Sequence, residues 1–258
     1  MTRFASPALA LAAIVLFLGR SPSVAEQTAP KIAGHAAPRY RAPMVSPISA
    51  SWRGMFDADD QVWRVPTSRR LIALTFDDGP YPFYTPLLLH VLDRSHVPAT
   101  FFCVGRSAQQ FPELIDRIIA SGDEIGNHTF NHYKLNGLSD EQVAEQIMEG
   151  GAILSSFVGR PLDLFRPPHG RYDRRVLEIA SAMGYRTIFW SDSPEDTKHI
   201  SPALEVRRVL AQARPGAIVL LHNGQYRTIE ALPVIIDKLR AEGYTFVTVD
   251  QLLASGAF

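Results

Sequence analysis

Short apolar segments alternate with amphipathic segments from Leu71 onwards, and this alternation most limits what the chain can fold into. Helical patterns such as "QQFPELIDRIIASG" and "RTIEALPVIIDKLRAEG" lie between most of the apolar segments. Alternating strands and helices give parallel strands joined by right-handed crossovers. The pattern therefore predicts an α/β fold with about seven parallel strands in an irregular (β/α) barrel. The candidate strands are "LIALTF", "ATFFCVG", "DEIGNH", "LDLFRP", "YRTIFW", "AIVLLH" and "FVTV".

Polar residues stand at the ends of most of these strands. They are Asp77, Asp78, His128, Arg166, Asp192 and His222. In a (β/α) barrel the reacting groups gather at the carboxyl ends of the strands, so these residues are expected to converge on one rim. A two-layer sandwich with scattered charged loops is the alternative, but it gives no reason for the polar residues to fall at the same end of each strand.

The N-terminal part of the chain does not continue the alternation. Residues 1–25 combine a basic start, an apolar run and a small-residue site ending at Ala25, which is the pattern of a secretory signal peptide. An uncleaved anchor competes with it, although the run is short for a membrane span. Residues 26–69 are rich in Pro, Ala and Ser and predict a flexible tether, with a short ordered piece in "MFDADDQVWRV" as the alternative. Residues 70–258 then form one domain of a secreted or periplasmic protein.

Charge and cysteine content limit the partners. The chain has 26 basic and 26 acidic side chains and a formal net charge of zero, so it lacks the basic balance expected of a nucleic-acid binder. Cys103 is the single cysteine, which rules out an intrachain disulfide. Its apolar setting in "ATFFCVG" favours a buried thiol over a nucleophile.

Two adjacent carboxylates and two spaced histidines suggest a metal site. Asp77 and Asp78 follow a predicted buried strand, where two like charges resist ionisation unless a cation compensates them. His128 and His132 are four residues apart, a spacing that on a helical turn puts both imidazoles on one face. The histidine pair alone is weak, since surface histidines arise by chance. Two histidines with one aspartate leave room for water, as catalytic rather than structural zinc sites do.

Four short motifs occur in a fixed order: "TFDDGP", "HTFNH", "RPPHG" and "LLH". In this order and at these separations they resemble the motifs of the polysaccharide deacetylase family, the carbohydrate esterases with a NodB homology domain. The resemblance runs from about Leu71 to Leu253. It implies a distorted (β/α) barrel and an enzyme that hydrolyses N-acetyl groups on sugars.

The resemblance also implies a metal centre and a base. Carried over to this chain, it makes Asp77 the general base and Asp78 the metal ligand alongside His128 and His132. Arg166 of "RPPHG" pairs with Asp77 and keeps it ionised, unless it is an ordinary surface arginine. Zn²⁺ is the expected ion, and Co²⁺ or Ni²⁺ suits the same donors.

The remaining roles lie on the acid and substrate sides. The resemblance makes His222 of "VLLHN" the general acid that protonates the leaving amine; a buried, satisfied histidine is the alternative. A backbone N–H near His169 helps to hold the tetrahedral oxyanion. Trp190 and Leu220 join His169 on the substrate side.

The chain departs from the family pattern in two places. His169 stands where a tyrosine commonly follows the second proline of the third motif, which adds an imidazole near the metal site. The segment "FWSDSPEDTKH" has Thr197 where a tryptophan usually follows the second aspartate. Either Asp192 or Asp196 is expected to orient His222, and the sequence leaves this choice open.

Three functions compete on these observations. The first is an exported, metal-dependent deacetylase of a glycan such as peptidoglycan, a chitin-type oligosaccharide or poly-N-acetylglucosamine. The second is an amidohydrolase of small cyclic amides, which export and the intact set of aspartates and histidines disfavour. The third is a catalytically silent glycan-binding or envelope protein, which the retention of a candidate base and a candidate acid disfavours.

Overall fold

The computed structural model describes residues 61–256, which form one α/β domain. The seven strands expected from the apolar segments are all present, as β2 to β8. The short β1 is additional, because two residues are too few to show an alternating pattern. The strands are β1 (Gln61–Val62), β2 (Leu71–Asp77), β3 (Thr100–Cys103), β4 (Glu124–Asn127), β5 (Leu164–Phe165), β6 (Arg186–Ile188), β7 (Ala217–His222) and β8 (Thr245–Phe246).

The strands pair in parallel throughout this sheet. Their order is β1-β6-β5-β4-β3-β2-β7, and β8 pairs with the start of β2. β2 lies between β3 and β7, and its last residue, Asp77, is in register with Phe102 and His222. The carboxyl ends of the central strands therefore meet at one edge of the sheet.

The free edge of β7 is met by the segment that follows β6. The N–H groups of Ser191 and Asp192 donate to the carbonyl of Ile218 at 3.1 and 3.2 Å, and the N–H of Leu220 donates to the carbonyl of Asp192 at 2.8 Å. Arg64, just after β1, bridges the start of β7. These bridges curl the sheet into a distorted barrel.

Helices follow most of the strands and cover the outside of the sheet. The longest, α4, begins with a capping box in which the side chains of Ser139 and Gln142 each accept the other's backbone N–H. It ends at Gly159, whose φ of 77° is left-handed. The helices are α1 (Tyr84–Ser95), α2 (Gly105–Gln110), α3 (Pro112–Ala120), α4 (Asp140–Val158), α5 (Arg174–Ala182), α6 (Pro202–Gln212), α7 (Tyr226–Ala241) and α8 (Val249–Ala254).

Both faces of the sheet are buried. Leu74 and Phe76 of β2 belong to the larger apolar cluster, which the helices share. Ala73 of β2 points the other way, into a second cluster with Phe102 and Ile218 that also includes residues of α8. Strands covered on both faces are typical of parallel sheets. The polar residues therefore lie at the edge of a sheet whose two faces are covered by packed apolar side chains.

The folded domain begins earlier than the sequence predicts. β1 lies inside the segment 26–69 that composition assigns to a tether, and it pairs with β6. Val65 is fully buried, and Trp63 stacks on Phe189 with ring centroids 4.3 Å apart. Residues 61–65 therefore correspond to the short ordered piece that the sequence kept as the alternative to a tether. The predicted signal peptide and the rest of the tether lie outside the described residues.

Two smaller expectations concern membrane spans and the cysteine. Within residues 61–256, no helix is both long enough and apolar enough to cross a membrane. Cys103 is buried on β3, and burial raises the pKa of its thiol. The thiol is thus held in its neutral, unreactive form.

Candidate active site

The carboxyl ends of four strands bring the polar groups of the site together. Asp77 ends β2, His128 follows β4, Arg166 follows β5 and His222 ends β7. Asp78 has a left-handed backbone with a φ of 68°, so its carboxylate leaves the strand in a different direction from that of Asp77. The two adjacent aspartates therefore face different partners.

One side of the site is a cluster of three metal-ligand groups. The ligand atoms of Asp78, His128 and His132 all lie within 4.8 Å of one another. Oδ1 of Asp78 is 3.0 Å from Nε2 of His132 and 3.7 Å from Nε2 of His128. Two imidazoles and one carboxylate are donors that suit a divalent transition metal. Within residues 61–256 this is the only such group of three or more.

His128 is oriented by a backbone carbonyl. Its Nδ1 is 2.7 Å from the carbonyl oxygen of Arg166, which assigns the proton to Nδ1 and leaves the lone pair of Nε2 facing Asp78. Burial lowers the pKa of His128 to about 4, even though Asp77 and Asp78 act in the opposite direction. The imidazole is therefore neutral at neutral pH, which is the form that binds a metal.

Asp78 is also in its metal-binding form. Burial raises the pKa of its carboxyl, but the hydrogen bond with His132 and the nearby imidazoles outweigh burial and lower the pKa to about 2. The ionised carboxylate of Asp78 and the neutral imidazole of His128 are both in the protonation state that binds a metal. The chemistry of these donors thus fits a divalent metal.

The two histidine ligands do not lie on a helical turn, so that part of the prediction is wrong. Thr129 and His132 have left-handed backbones, with φ values of 67° and 60°. Oδ1 of Asn127 accepts the N–H of Thr129 at 2.9 Å, and Oγ1 of Thr129 accepts the N–H of His132 at 3.1 Å. These side-chain acceptors fix a loop in place of a helical turn. The loop still brings the two imidazole centroids to 5.0 Å.

Asp77 is held by an arginine that runs through the barrel interior. Arg166 is fully buried, and its Nη1 is 2.6 Å from Oδ1 of Asp77. Its other N–H groups donate to the hydroxyl of Thr75 at 2.8 Å and to the carbonyls of Ile188 and Phe189, each at 3.0 Å. A buried cation persists only when its donors are paired in this way. Arg166 is therefore not a surface arginine.

Asp196 orients His222. Its Oδ1 is 2.8 Å from Nδ1 of His222, and its Oδ2 accepts the backbone N–H of His222 at 2.8 Å. Burial lowers the pKa of His222, but the hydrogen bond and the charge of Asp196 outweigh burial and raise the pKa to about 9. His222 is therefore an imidazolium at neutral pH, with Nδ1 engaged and Nε2 left for other contacts.

Asp192 lies in a different environment. Its backbone bridges Val219 where the barrel closes, and its side chain is fully buried. Neither carboxyl oxygen has a hydrogen-bonding partner among the residues that the structure describes. Burial raises the pKa of Asp192 to about 8, with Arg214 offsetting part of the effect. The choice that the sequence left open between the two aspartates thus falls to Asp196.

The sequence assigns three residues to the substrate side, and in the structure these residues differ in how exposed they are. His169 is exposed, with a φ of 59° and its ring centroid 4.5 Å from that of His132. Trp190 is half-buried and packs on Gly170, where an added Cβ would lie 2.7 Å from the indole. Leu220 is buried on β7, on the same face of the strand as His222. His169 thus borders the ligand cluster without belonging to it.

Two residues of the site are missing from the sequence prediction. Thr75 accepts from Arg166, and Thr228 donates to Oδ2 of Asp196 at 3.2 Å. Thr75 is the single polar residue in β2 before Asp77, which is a signal that would reveal it. Thr228 is an ordinary polar residue in the first turn of α7 and carries no such signal.

Comparison with known proteins places the chain among deacetylases of acetylated sugars. A sequence model described as "Polysaccharide deacetylase" matches residues 64–188. The chain is 41% identical over 196 residues to a peptidoglycan-N-acetylglucosamine deacetylase of Bacillus cereus, a match that covers 74% of this chain and 92% of that protein. It is 33% identical over 201 residues to a chitooligosaccharide deacetylase of Azorhizobium caulinodans, covering 71% and 95%.

A solved structure gives the same result for the fold. A peptidoglycan N-acetylglucosamine deacetylase superposes with a TM-score of 0.74 at 31% identity, covering 80% of this chain and 97% of that one. The identity and the coverage are high enough for family membership as well as for shared architecture. With its motifs in order and its distorted (β/α) barrel, this chain belongs to the polysaccharide deacetylase family of carbohydrate esterases.

Proposed function

We propose that the protein is an exported, metal-dependent hydrolase that removes N-acetyl groups from the N-acetylglucosamine residues of peptidoglycan. One observation carries the proposal: Asp77 and His222 are register partners on adjacent strands, beside a cluster of metal ligands. Hydrolysis of an amide needs an acceptor for the proton of water and a donor for the leaving amine. An anchored carboxylate and an imidazolium supply the two.

Asp78, His128 and His132 are the residues that would hold the metal. Zn²⁺ suits two imidazoles and a carboxylate, and Co²⁺ and Ni²⁺ suit the same donors. When bound, the ion supplies Lewis-acid activation of water and of the acetyl carbonyl.

Asp77 is the general base in this proposal. Its Oδ1 is occupied by Arg166, so Oδ2 is the oxygen that accepts a proton from water. Oδ2 is 3.8 Å from Nε2 of His128, which puts it beside the ligand cluster. The buried guanidinium stabilises the negative charge of the base before substrate arrives.

His222 is the general acid. Asp196 occupies Nδ1, so Nε2–H is the group that donates a proton to the leaving nitrogen. A pKa raised to about 9 by Asp196, against the effect of burial, keeps this proton in place at neutral pH. An amine leaves readily only after it is protonated, so the acid is as necessary as the base.

The substrate side is formed by the turn at His169 and by two apolar side chains. We assign the oxyanion of the tetrahedral intermediate to a backbone N–H of this turn, which lies beside the ligand cluster. Trp190 and Leu220 supply apolar surface for the acetyl group and the sugar. His169 itself replaces the usual tyrosine and places a polar ring where the glycan enters.

Residues 1–60 complete the proposal. We propose that residues 1–25 direct export and are cleaved after Ala25, so that residues 26–60 precede the domain in the exported protein. Mass spectrometry of the exported protein checks the cleavage site, since a protein that retains residues 1–25 contradicts it.

Acetate release from a panel of glycans tests the proposed function. We expect the zinc-loaded wild type to release acetate from peptidoglycan fragments faster than from chitooligosaccharides or poly-N-acetylglucosamine. Asp77→Asn is the matched control, because it is expected to keep the metal and lose the activity. Release from chitooligosaccharides alone overturns the choice of glycan. Hydrolysis of cyclic amides alone, or no hydrolysis by the metal-loaded protein, overturns the deacetylase mechanism.

A further inference from the structure

A second buried carboxyl group, that of Glu205, lies behind the pair formed by Asp196 and His222. Glu205 is in the first turn of α6 and is fully buried. Neither of its carboxyl oxygens has a hydrogen-bonding partner among residues 61–256. Buried polar groups are rarely left without partners. The mechanism described so far does not use this one.

Asp196, by contrast, is saturated with donors. Besides the two N–H groups of His222, its Oδ1 accepts the backbone N–H of Thr197 at 3.0 Å. Its Oδ2 accepts the hydroxyl of Thr228 at 3.2 Å. A threonine hydroxyl has one hydrogen, so Thr228 gives its hydrogen to Asp196. This bond withdraws charge from the carboxylate that holds the imidazolium.

Glu205 is coupled to both members of the pair. Burial raises the pKa of Glu205 to about 7; the hydroxyl of Thr228 lowers it, the charge of Asp196 raises it, and the charge of His222 lowers it. The geometry agrees, since α6 packs against α7 and both Glu205 and Thr228 are buried in the first turns of these two helices. Interaction energies between titrating groups are mutual. The charge of Glu205 therefore acts back on His222. It adds to the larger effects of Asp196 and of Asp77 and Asp78 on β2, which all raise the pKa of His222.

We propose that Glu205 is a positioning residue for the proton donor: through Thr228 and Asp196, it sets how firmly the proton is held on His222. While Glu205 is neutral, the hydroxyl hydrogen of Thr228 stays on Asp196. When Glu205 is charged, it competes for that hydrogen and adds a second negative charge behind Asp196, so the imidazolium is held more strongly. The inference rests on the proposed role of His222 as general acid.

Glu205→Gln tests the inference, because it keeps the shape of the side chain and fixes it in a neutral form. We expect the imidazole of His222 in the zinc-loaded protein to titrate about 0.5 to 1 pH unit lower in this variant than in wild type. NMR measures the titration, with the signal assigned by its absence in His222→Gln. The alkaline limb of the kcat profile is expected to move in the same direction. An unchanged titration in folded Glu205→Gln overturns the inference.

Variants of Thr228 test the route. Thr228→Val removes the hydroxyl, so the shift caused by Glu205→Gln is expected to shrink when the two changes are combined. Thr228→Ser keeps a hydroxyl and is expected to retain the shift. An equal shift with and without the hydroxyl overturns the route through Thr228.

Asp123→Asn is the matched control for a general effect of charge. Asp123 is another buried carboxyl, and burial raises its pKa to about 7. It precedes β4, at the opposite end of the strands from the site. We expect the titration of His222 to stay unchanged in this variant. A shift as large as that of Glu205→Gln overturns a specific role for Glu205.

Failure of this inference is distinguishable from failure of the proposed function. If the wild type releases acetate but Glu205→Gln leaves the titration of His222 unchanged, only the proposed role of Glu205 is wrong. If the titration shifts while no glycan yields acetate, the coupling stands and the proposed function falls.

Discussion

The proposed base, Asp77, and the proposed acid, His222, are supported by different kinds of structure, which we call the base side and the acid side of the site. Asp77 is bound by Arg166, which donates three further hydrogen bonds to groups inside the barrel. His222 is bound by Asp196, which comes from a short turn after β6 and is tied to α7 through Thr228. The base is thus part of the core, whereas the acid depends on a peripheral turn.

Because of this difference, substitutions on the two sides are expected to affect stability and catalytic rate unequally. Because Arg166 is fully buried, its removal leaves an unpaired charge in the barrel, and the fold suffers along with catalysis. Asp196 has several donors around it, so a neutral replacement keeps most of the turn and changes mainly the acidity of His222. Changes on the base side are therefore expected to cost stability and rate, and changes on the acid side mainly rate.

Arg166→Met is expected to have the largest effect. It leaves Asp77 as a buried charge without its partner, a change that costs about 3–5 kcal/mol in the free energy of unfolding. Urea denaturation of both proteins measures the loss. Arg166→Lys, which keeps the charge but not the set of donors, is the control and should lie between them. A variant as stable as wild type would show that the base side is not built into the core.

Asp77→Asn and Asp78→Asn are expected to diverge although the residues are adjacent. Asp77→Asn should keep the metal and lose about 10²- to 10⁴-fold in rate, the usual contribution of a general base. Asp78→Asn should lose metal, because a neutral amide is a poorer ligand than a carboxylate. Metal analysis and acetate-release kinetics decide between them. The opposite pattern would require the two roles to be exchanged.

Asp196→Asn is expected to have a smaller effect, on the acid side alone. Loss of an orienting partner costs about 10- to 100-fold in activity, and the alkaline limb of the pH profile should move to lower pH. The raised pKa of His222 stabilises the fold fully below its ordinary value of 6.5, and this contribution fades as pH rises towards 9. The loss of stability in the variant should therefore be measurable at pH 6 and absent above pH 9. An equal loss at both pH values contradicts the pairing.

Asp192→Asn is expected to have the smallest effect on rate, because the carboxyl of Asp192 makes no hydrogen bond with His222 and acts on stability and its dependence on pH. Burial raises the pKa of Asp192 to about 8 from 3.8, so the unfolded chain releases this proton at lower pH than the folded one. Stability from this group is present at pH 4 and is lost as pH rises to about 8. The variant should gain relative to wild type over that range, by up to roughly 1.4 kcal/mol for each pH unit. Thermal melting at pH 4, 6 and 8 measures the gain, and a gain that does not grow with pH contradicts it.

The sequence predicts the barrel and the strand-end residues because both depend on local patterns. β2 to β7 are apolar runs, and Asp77, Asp78 and His222 stand at their ends, so a rule about strand ends is enough to place them together. β1 escapes prediction because it is fixed by pairing with β6 and by contacts of the next residues, Trp63 with Phe189 and Val65 with Gly216, more than a hundred residues away. A two-residue strand has no period of its own.

The finer geometry of the site depends on contacts that no spacing reveals. The loop after β4 follows from the acceptors of Asn127 and Thr129, which override the helical reading of the histidine spacing. The choice between Asp192 and Asp196 depends on which carboxyl meets His222 after the barrel closes. Glu205 carries no motif, and only its burial against α7 distinguishes it from any acidic residue in a first helical turn.

The register between β2 and β7 pairs Asp77 with His222 directly across the two strands. Their spacing is consequently set by the backbone hydrogen bonds between two neighbouring strands, which lie about 4.8 Å apart in any sheet. The residues proposed to contact the sugar, including His169 and Trp190, come from the segments after β5 and β6. Substitutions in those segments can therefore change which glycan binds. The distance between Asp77 and His222 stays the same, because it is fixed by the pairing of β2 with β7.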